Sequence, residues 1–419
     1  MGLSHRSIRA ALAAALAVFL AWGCAAKPHD RGAPLAQQAF LSPDGREMTG
    51  QAFAALARKA DYVLLGEAHA NACDHAAQAR AIAVMVQAGV LPAIGLEMIP
   101  APDQALLAAV NDPAVPLEAL PERLNWSQNW GYDFSMYAPI FELARKYGLP
   151  VYALNADRAL VKTVSAKGLD NLPPASRAAL PGEIIPPPPA QEAFLREQFA
   201  EHMKMRAPKA GKDAPKSGQG KDASAPASPA MPGASDERMA SFFTIQALWD
   251  TQMAQRALLA HARSGRPVAV IAGSGHVESG WGLAHRLKRL DPEARVLSVM
   301  PWRGGDAPSP GEAGAFYYCP ISMKTRLGFT LEIDASKDGA QTALLVTFVE
   351  DGSKAQKAGI LPGDAITQAG GKPAASPLDL HKAAIEAQKS GAPLSLTIRR
   401  AEENIPILIE LAKPSGDMK

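Results

Sequence analysis

The chain has 419 residues, enough for two or three domains, and 47% hydrophobic with 20% charged residues is a globular balance. A formal net charge of +2, with no dense Lys/Arg stripe on any predicted helix, excludes nucleic acid as a natural partner. No two of the three cysteines stand in a CxxC spacing, which excludes a structural zinc finger. Cys73 and Cys319 could pair in an oxidising compartment, but their spacing does not show it.

The first residues, "MGLSHRSIRAALAAALAVFLAWGCAAKPHD", place Arg6 and Arg9 before an apolar run, Ala10 to Trp22, that ends in Gly23-Cys24. This is the pattern of an export leader, too short to span a bilayer comfortably. Cys24 after "LAWG" resembles the lipobox of bacterial lipoproteins, in which the cysteine carries the lipid and begins the mature protein. Residues 1–24 are therefore read as a lipoprotein signal, with ordinary secretion as the alternative. Either way the chain is expected to leave the cytoplasm.

Four short runs then read as buried strands: "DYVLL" at 61–65, "PAIGL" at 92–96, "PVYAL" at 150–154 and "PVAVIA" at 267–272. Amphipathic segments separate them, including Asp74 to Gly89, Met136 to Tyr147 and Ser241 to Arg263. Strands alternating with helices imply an α/β domain, with a mostly parallel sheet flanked by helices, over residues 35–302. Residues 207–235, almost wholly Ala, Pro, Lys, Gly, Ser and Asp, are expected to be a disordered insertion within it. Residues 303–324 are expected to be a linker, and 325–413 a small domain of mixed sheet and helices.

The polar residues fall where an α/β sheet binds ligands, at the carboxyl ends of its strands. Glu67 and His69 follow the first run, Glu97 the second, Asn155, Asp157 and Arg158 the third, and Ser274 and His276 the fourth. Two of these loops share a form, "GEAH" at 66–69 and "GSGH" at 273–276, in which a glycine turns the chain and a histidine is displayed. Glu67, His69, Glu97 and His276 suit a divalent metal with open positions, or metal-free acid and base work. One such residue alone could equally be a helix-start contact; the set of four is what points to a site. Asp74 and His75 take second rank, with Asp74 as the expected helix N-cap. Arg158 could receive an anionic group or pair with Asp157.

Taken together, "LLGEAH", "IGLEMI", "LNWSQNWGYDFSMYAPIFELARKYGLPVYALNADR", "ALWDTQMA" and "VIAGSGHVESGWGLAHRL" resemble the ChaN family of haem-binding bacterial lipoproteins. The match runs from about Phe53 to Val299 apart from the insertion, and the wider superfamily includes the Tiki metalloproteases and the erythromycin esterases. The resemblance implies haem as cofactor, a role in haem-iron uptake, an outer-membrane lipoprotein, a tyrosine ligand to iron and paired haems in a homodimer. Tyr132 and Tyr137 are the candidate ligands, beside Trp126 and Trp130, with His69, His276 and Arg158 as further cofactor contacts. The superfamily also implies an alternative, a hydrolase in which His69, Glu97 and His276 hold a divalent metal and Glu67 activates water; a periplasmic scaffold acting mainly through the C-terminal domain is a third.

The last segment, "RLGFTLEI" followed by "VEDGSKAQKAGILPGDAITQAGGKPAASPLDLHKAAIEA", resembles the PDZ domain. That resemblance implies a peptide carboxyl terminus, or another protein, as partner, bound beside Leu327, Gly328 and Phe329. Packing on a neighbour or self-association is the alternative.

Overall fold

A computed structural model describes residues 35–206, 233–304, 306–334 and 343–411. The leader with Cys24, and residues 207–232 of the expected insertion, lie outside the described residues. Among the described residues no helix is long and apolar enough to cross a membrane.

The first sheet has eight strands: β1 (Phe40–Leu41), β2 (Glu47–Met48), β3 (Tyr62–Glu67), β4 (Ala93–Pro100), β5 (Val151–Asn155), β6 (Val268–Gly273), β7 (Val296–Trp302) and β8 (Ala315–Tyr318). Their spatial order is β2-β1-β8-β7-β3-β6-β4-β5, and the six strands from β8 to β5 are mutually parallel. Parallel strands covered on both faces need continuous apolar runs, and β3, β4 and β6 are buried along their whole length. Each of the four runs found in the sequence is a strand of this sheet. The helices Ala72–Gln87, Ala138–Tyr147 and Gly233–Ser264 connect them, the last opening on the final three residues of the expected insertion.

The second sheet holds β9 (Ile321–Lys324), β10 (Phe329–Asp334), β11 (Ala343–Val349), β12 (Ala365–Ala369), β13 (Lys372–Pro373), β14 (Leu394–Arg400) and β15 (Glu403–Ile409), all antiparallel. The helix Pro377–Ser390 packs on it, begun by a capping box between Ser376 and Asp379. Each sheet has its own core, one around Val63, Ile94 and Ile271, the other around Phe329, Leu344 and Ile398.

Residues 303–324 are not a simple linker. They supply β8 to the first sheet and β9 to the second: the apolar "AFYY" is buried, whereas β9 is held by its pairing with β10 and leaves Ile321 and Met323 exposed. Asp74 is not the helix cap either. Asn71 takes that place, its side chain accepting from the amides of Cys73 and Asp74 at 3.0 and 3.4 Å. Asp74, one turn in, is fully buried and meets Arg303 through two bonds of 2.6 Å.

Cys73 and Cys319 form a disulfide across a separation of 246 residues. It joins the start of the helix Ala72–Gln87 to the residue just after β8. Closing so long a loop restricts the unfolded chain, a contribution of about 2–4 kcal/mol. Urea unfolding of the oxidised protein against Cys73→Ser or Cys319→Ser is expected to show a loss of that size, and reduction of the native protein the same loss.

Candidate functional site

The carboxyl ends of β3, β4, β5 and β6 open into a cleft of about 610 Å³. His69, Glu97, Asn155, Arg158 and His276, from all four strand-end loops, line it. Trp130, Tyr132, Trp249 and Ile245 add apolar wall from elsewhere in the chain.

Glu67 lies beneath the cleft, 2% exposed at the last position of β3. One carboxylate oxygen accepts from the Tyr137 hydroxyl at 2.7 Å and from His69 Nδ1 at 2.9 Å; the other faces His75 Nδ1 at 3.2 Å. Burial would raise the pKa of this carboxyl, but the bonds from His69, His75 and Tyr137 outweigh it and hold it at about 2. An ionised Glu67 requires the proton of His69 on Nδ1, which leaves the Nε2 lone pair as the ligating end of the ring. His75 is buried too, its Nε2 3.1 Å from the His69 carbonyl. Burial works against its charge, yet the Glu67 carboxylate raises its pKa overall. His75, in the first turn of the helix Ala72–Gln87, therefore also supports this site.

The second pair, Glu97 and His276, lies on the far side of Gly273. Glu97 accepts from the Gly273 amide at 2.7 Å and faces His276 Nε2 at 3.4 Å. His276 Nδ1 donates to Asp250 at 2.5 Å, and Asp250 is also 3.3 Å from the buried Arg286. Burial would lower the pKa of His276, but Glu97 and Asp250 raise it to about 10. Gly273 is required here because a Cβ would meet His69 Cε1 at 2.7 Å.

The four residues expected to act together thus form two carboxylate–histidine pairs. Among the described residues no group of three His, Cys, Asp or Glu is arranged to hold a metal ion. Both nitrogens of His276 face carboxylates, so its ring has no lone pair to give while it is charged. The divalent metal, the alternative that the sequence left open beside haem, finds no support in this geometry.

The two tyrosines separate clearly. Tyr137 is fully buried, and its hydroxyl both donates to Glu67 and accepts from Trp130 Nε1 at 2.8 Å. Burial, then the Glu67 charge, pushes its pKa well above the usual tyrosine value, so it stays a phenol and does not line the cleft. Tyr132 is 39% exposed on the cleft wall, its ring 5.4 Å from that of His69 and 5.5 Å from that of Trp130. The Trp126 indole fixes the Tyr132 carbonyl at 2.8 Å. Trp126 itself is buried, packed against Tyr137 rather than on the cleft. Arg158 stands on the rim and donates to the carbonyls of Gln128 and Asn129; Asp157 instead caps the following helix at Ala159.

Three contributors were not singled out from the sequence: Gln246, Trp249 and Asp250, on one face of the helix Gly233–Ser264. Their spacing of three and four within "IQALWD" was the available signal, a polar stripe on a helix that has to pack on the sheet. In the second sheet, Gly328 has φ +88°, and its amide and that of Phe329 both bond Thr325, at 3.2 and 3.3 Å.

Residues 53–287, more than half of the chain, match the family described as haem-binding uptake, Tiki superfamily, ChaN. The chain belongs to this ChaN family. Residues 325–411 match the PDZ domain, which the second sheet and its helix form. Among solved structures, ChaN of Campylobacter jejuni with cofacial haem is 15% identical, over 66% of this chain and 95% of that one, with a TM-score of 0.49. An erythromycin esterase in its open conformation is 14% identical, over 66% and 81%, with a TM-score of 0.34. The HtrA3 PDZ domain bound to a phage-derived ligand is 29% identical, over 16% and 62%, with a TM-score of 0.14. None of the curated proteins matches the chain.

The raised pKa of His276 fixes a pH dependence of the ChaN-family domain. A histidine raised from 6.5 to about 10 adds stability that is complete below pH 6.5 and is lost as pH rises through 10. Urea midpoints between pH 6 and 10 are expected to fall for the native protein. In His276→Gln the midpoint is expected to be lower at pH 7 and to lose that decline.

Proposed function

We propose that the chain binds haem in the cleft at the carboxyl ends of β3 to β6, and serves in haem-iron uptake as an exported lipoprotein. The observation that carries this reading is the placing of Tyr132 and His69 side by side on the cleft wall, with Tyr137 withdrawn beneath them. The donor set fits the group. Tyrosine and neutral histidine are both competent axial donors. Trp130, Trp249, Val161 and Ile245 offer apolar cover for a macrocycle, and Arg158 and Lys162 on the rim suit its carboxylates.

Bound haem would supply an iron centre to be carried, and the residues of the chain do the holding. Glu67 orients His69 by fixing the proton on Nδ1, and Trp126 positions the backbone of Tyr132. Glu97 holds the Gly273 turn close to His69. The open position of Tyr132 at the mouth agrees with a second copy of the chain facing the first, each bringing its own haem. The leader and Cys24 support membrane attachment through a lipid, with the outer membrane as the site. The PDZ domain supports recruitment of a partner protein.

A hemin titration of the protein beginning at Cys24 tests the reading. A saturable Soret band is expected. Tyr132→Phe is expected to shift the band and weaken binding by about tenfold or more, whereas Tyr137→Phe leaves the band in place and lowers stability by about 1–3 kcal/mol through the loss of the Glu67 bond. Stoichiometric divalent metal with no saturable hemin binding would overturn it.

A further inference from the structure

A PDZ fold takes a peptide as an added strand on the edge of the strand that follows its carboxylate-binding turn. Here that strand is β10 and the turn is Leu327-Gly328-Phe329, and the edge is already filled. β10 has β11 on one side and β9 on the other. Lys324 lies opposite Thr330, Met323 opposite Leu331, Ser322 opposite Glu332 and Ile321 opposite Ile333. β9 is antiparallel to β10 and runs towards the turn, which is the direction a carboxyl-terminal peptide takes.

Thr325, directly after β9, uses the turn's bonding groups. Its carbonyl accepts from Gly328 N at 3.2 Å, and its hydroxyl is 3.3 Å from Phe329 N and 2.9 Å from Phe329 O. Its own amide donates to Phe329 O at 2.8 Å. The two amides that would grip a terminal carboxylate are spent within the chain.

We propose that Ile321–Thr325 is a built-in pseudo-ligand that closes this PDZ domain to free peptide carboxyl termini until β9 leaves β10. The inference rests on the peptide-binding reading of the domain. The segment is held at both ends. Two residues before β9, Cys319 is bonded to Cys73, and the Asn71 side chain donates to Pro320 O at 3.1 Å. After it, only the turn separates β9 from β10. A strand tethered so closely acts at an effective concentration of roughly millimolar or more, which a free peptide must outcompete.

The space left beside β9 indicates what does so. A cleft of about 470 Å³ lies against the helix Pro377–Ser390, with Leu327, Leu380 and Ile385 on its wall and Lys324, Arg326 and Lys354 among its lining cations. These favour a peptide with an apolar last residue and acidic residues before it. Thr325 and Phe329 form a hydrogen-bonded pair, so by alternation Met323 and Leu331 form the next one. Proline at 323 removes that donor and weakens β9 alone.

The test is fluorescence anisotropy on the full chain with a fluorescein-labelled heptapeptide, six acidic residues ending in valine with a free carboxylate. Met323→Pro is expected to bind it at least about tenfold tighter than the native protein, and the valine amide is expected not to bind. Hydrogen exchange in β11, β12 and β14 reports whether the variant remains folded. Should it not, Ile321→Pro, which by the same alternation removes the next donor of β9 opposite Ile333, decides on the same terms. Equal affinity of native and variant proteins overturns the closure and leaves the peptide-binding reading standing. No binding by either folded protein overturns the peptide-binding reading, and the closure with it.

Discussion

The site depends on one buried carboxylate. Glu67 ends a strand and is buried, so its charge has to be met by the protein, and His69, Tyr137 and His75 meet it. Each of those contacts fixes something else. His69 is turned so that its other nitrogen is the available one, Tyr137 is taken out of the cleft, and His75 ties the carboxylate to the following helix. Truncating Glu67 to alanine would leave the buried Tyr137 and His75, and His69 on the cleft wall, without their common acceptor, which is why the arrangement stands or falls as a unit.

The same helix start also holds the segment that leads into β9. Asn71 caps the helix and holds Pro320, Cys73 is bonded to Cys319, and Asp74 clamps Arg303. Asp74 also accepts from the Ala68 amide at 2.8 Å, in the loop that displays His69. A short stretch of the chain, 67–75, therefore sets the histidine of the cleft wall and anchors the segment that enters the PDZ sheet. The economy is physical: a helix N-terminus offers several unpaired amides and one rigid axis, and nearby loops are fastened to it at little entropic cost.

Much of the fold was legible in the sequence because buried parallel strands are continuous apolar runs. The four central strands and the helices between them followed from that, as did the rule that polar residues at their carboxyl ends gather at one edge. β7 and β8 are not legible in the same way. The segment 302–315 is rich in Gly, Pro and Asp and reads as a boundary, which masks the apolar "AFYY" that begins at its last residue. The candidate site was legible as a set of residues, and not as an arrangement. Glu67, His69, Glu97 and His276 do come together, but as two pairs either side of Gly273, a fact set by the register of β3 against β6. The spacing of Tyr132 and Tyr137 could not say which faces the cleft, since the chain between them is broken by a 3-10 turn at Phe134–Met136 and follows no single period. Asp250 was hidden for a different reason: its role comes from Arg286 and His276, more than twenty residues away in the chain.

The central claim is that haem is held in the cleft above Glu67 and faces Tyr132 rather than Tyr137. Diffraction from crystals of the hemin-loaded protein, collected at the iron absorption edge, places the metal without assumption. The account predicts an anomalous peak within coordination distance of Tyr132 or His69 and none near Tyr137. An iron peak outside this cleft, or one bound by the Tyr137 oxygen, would contradict it.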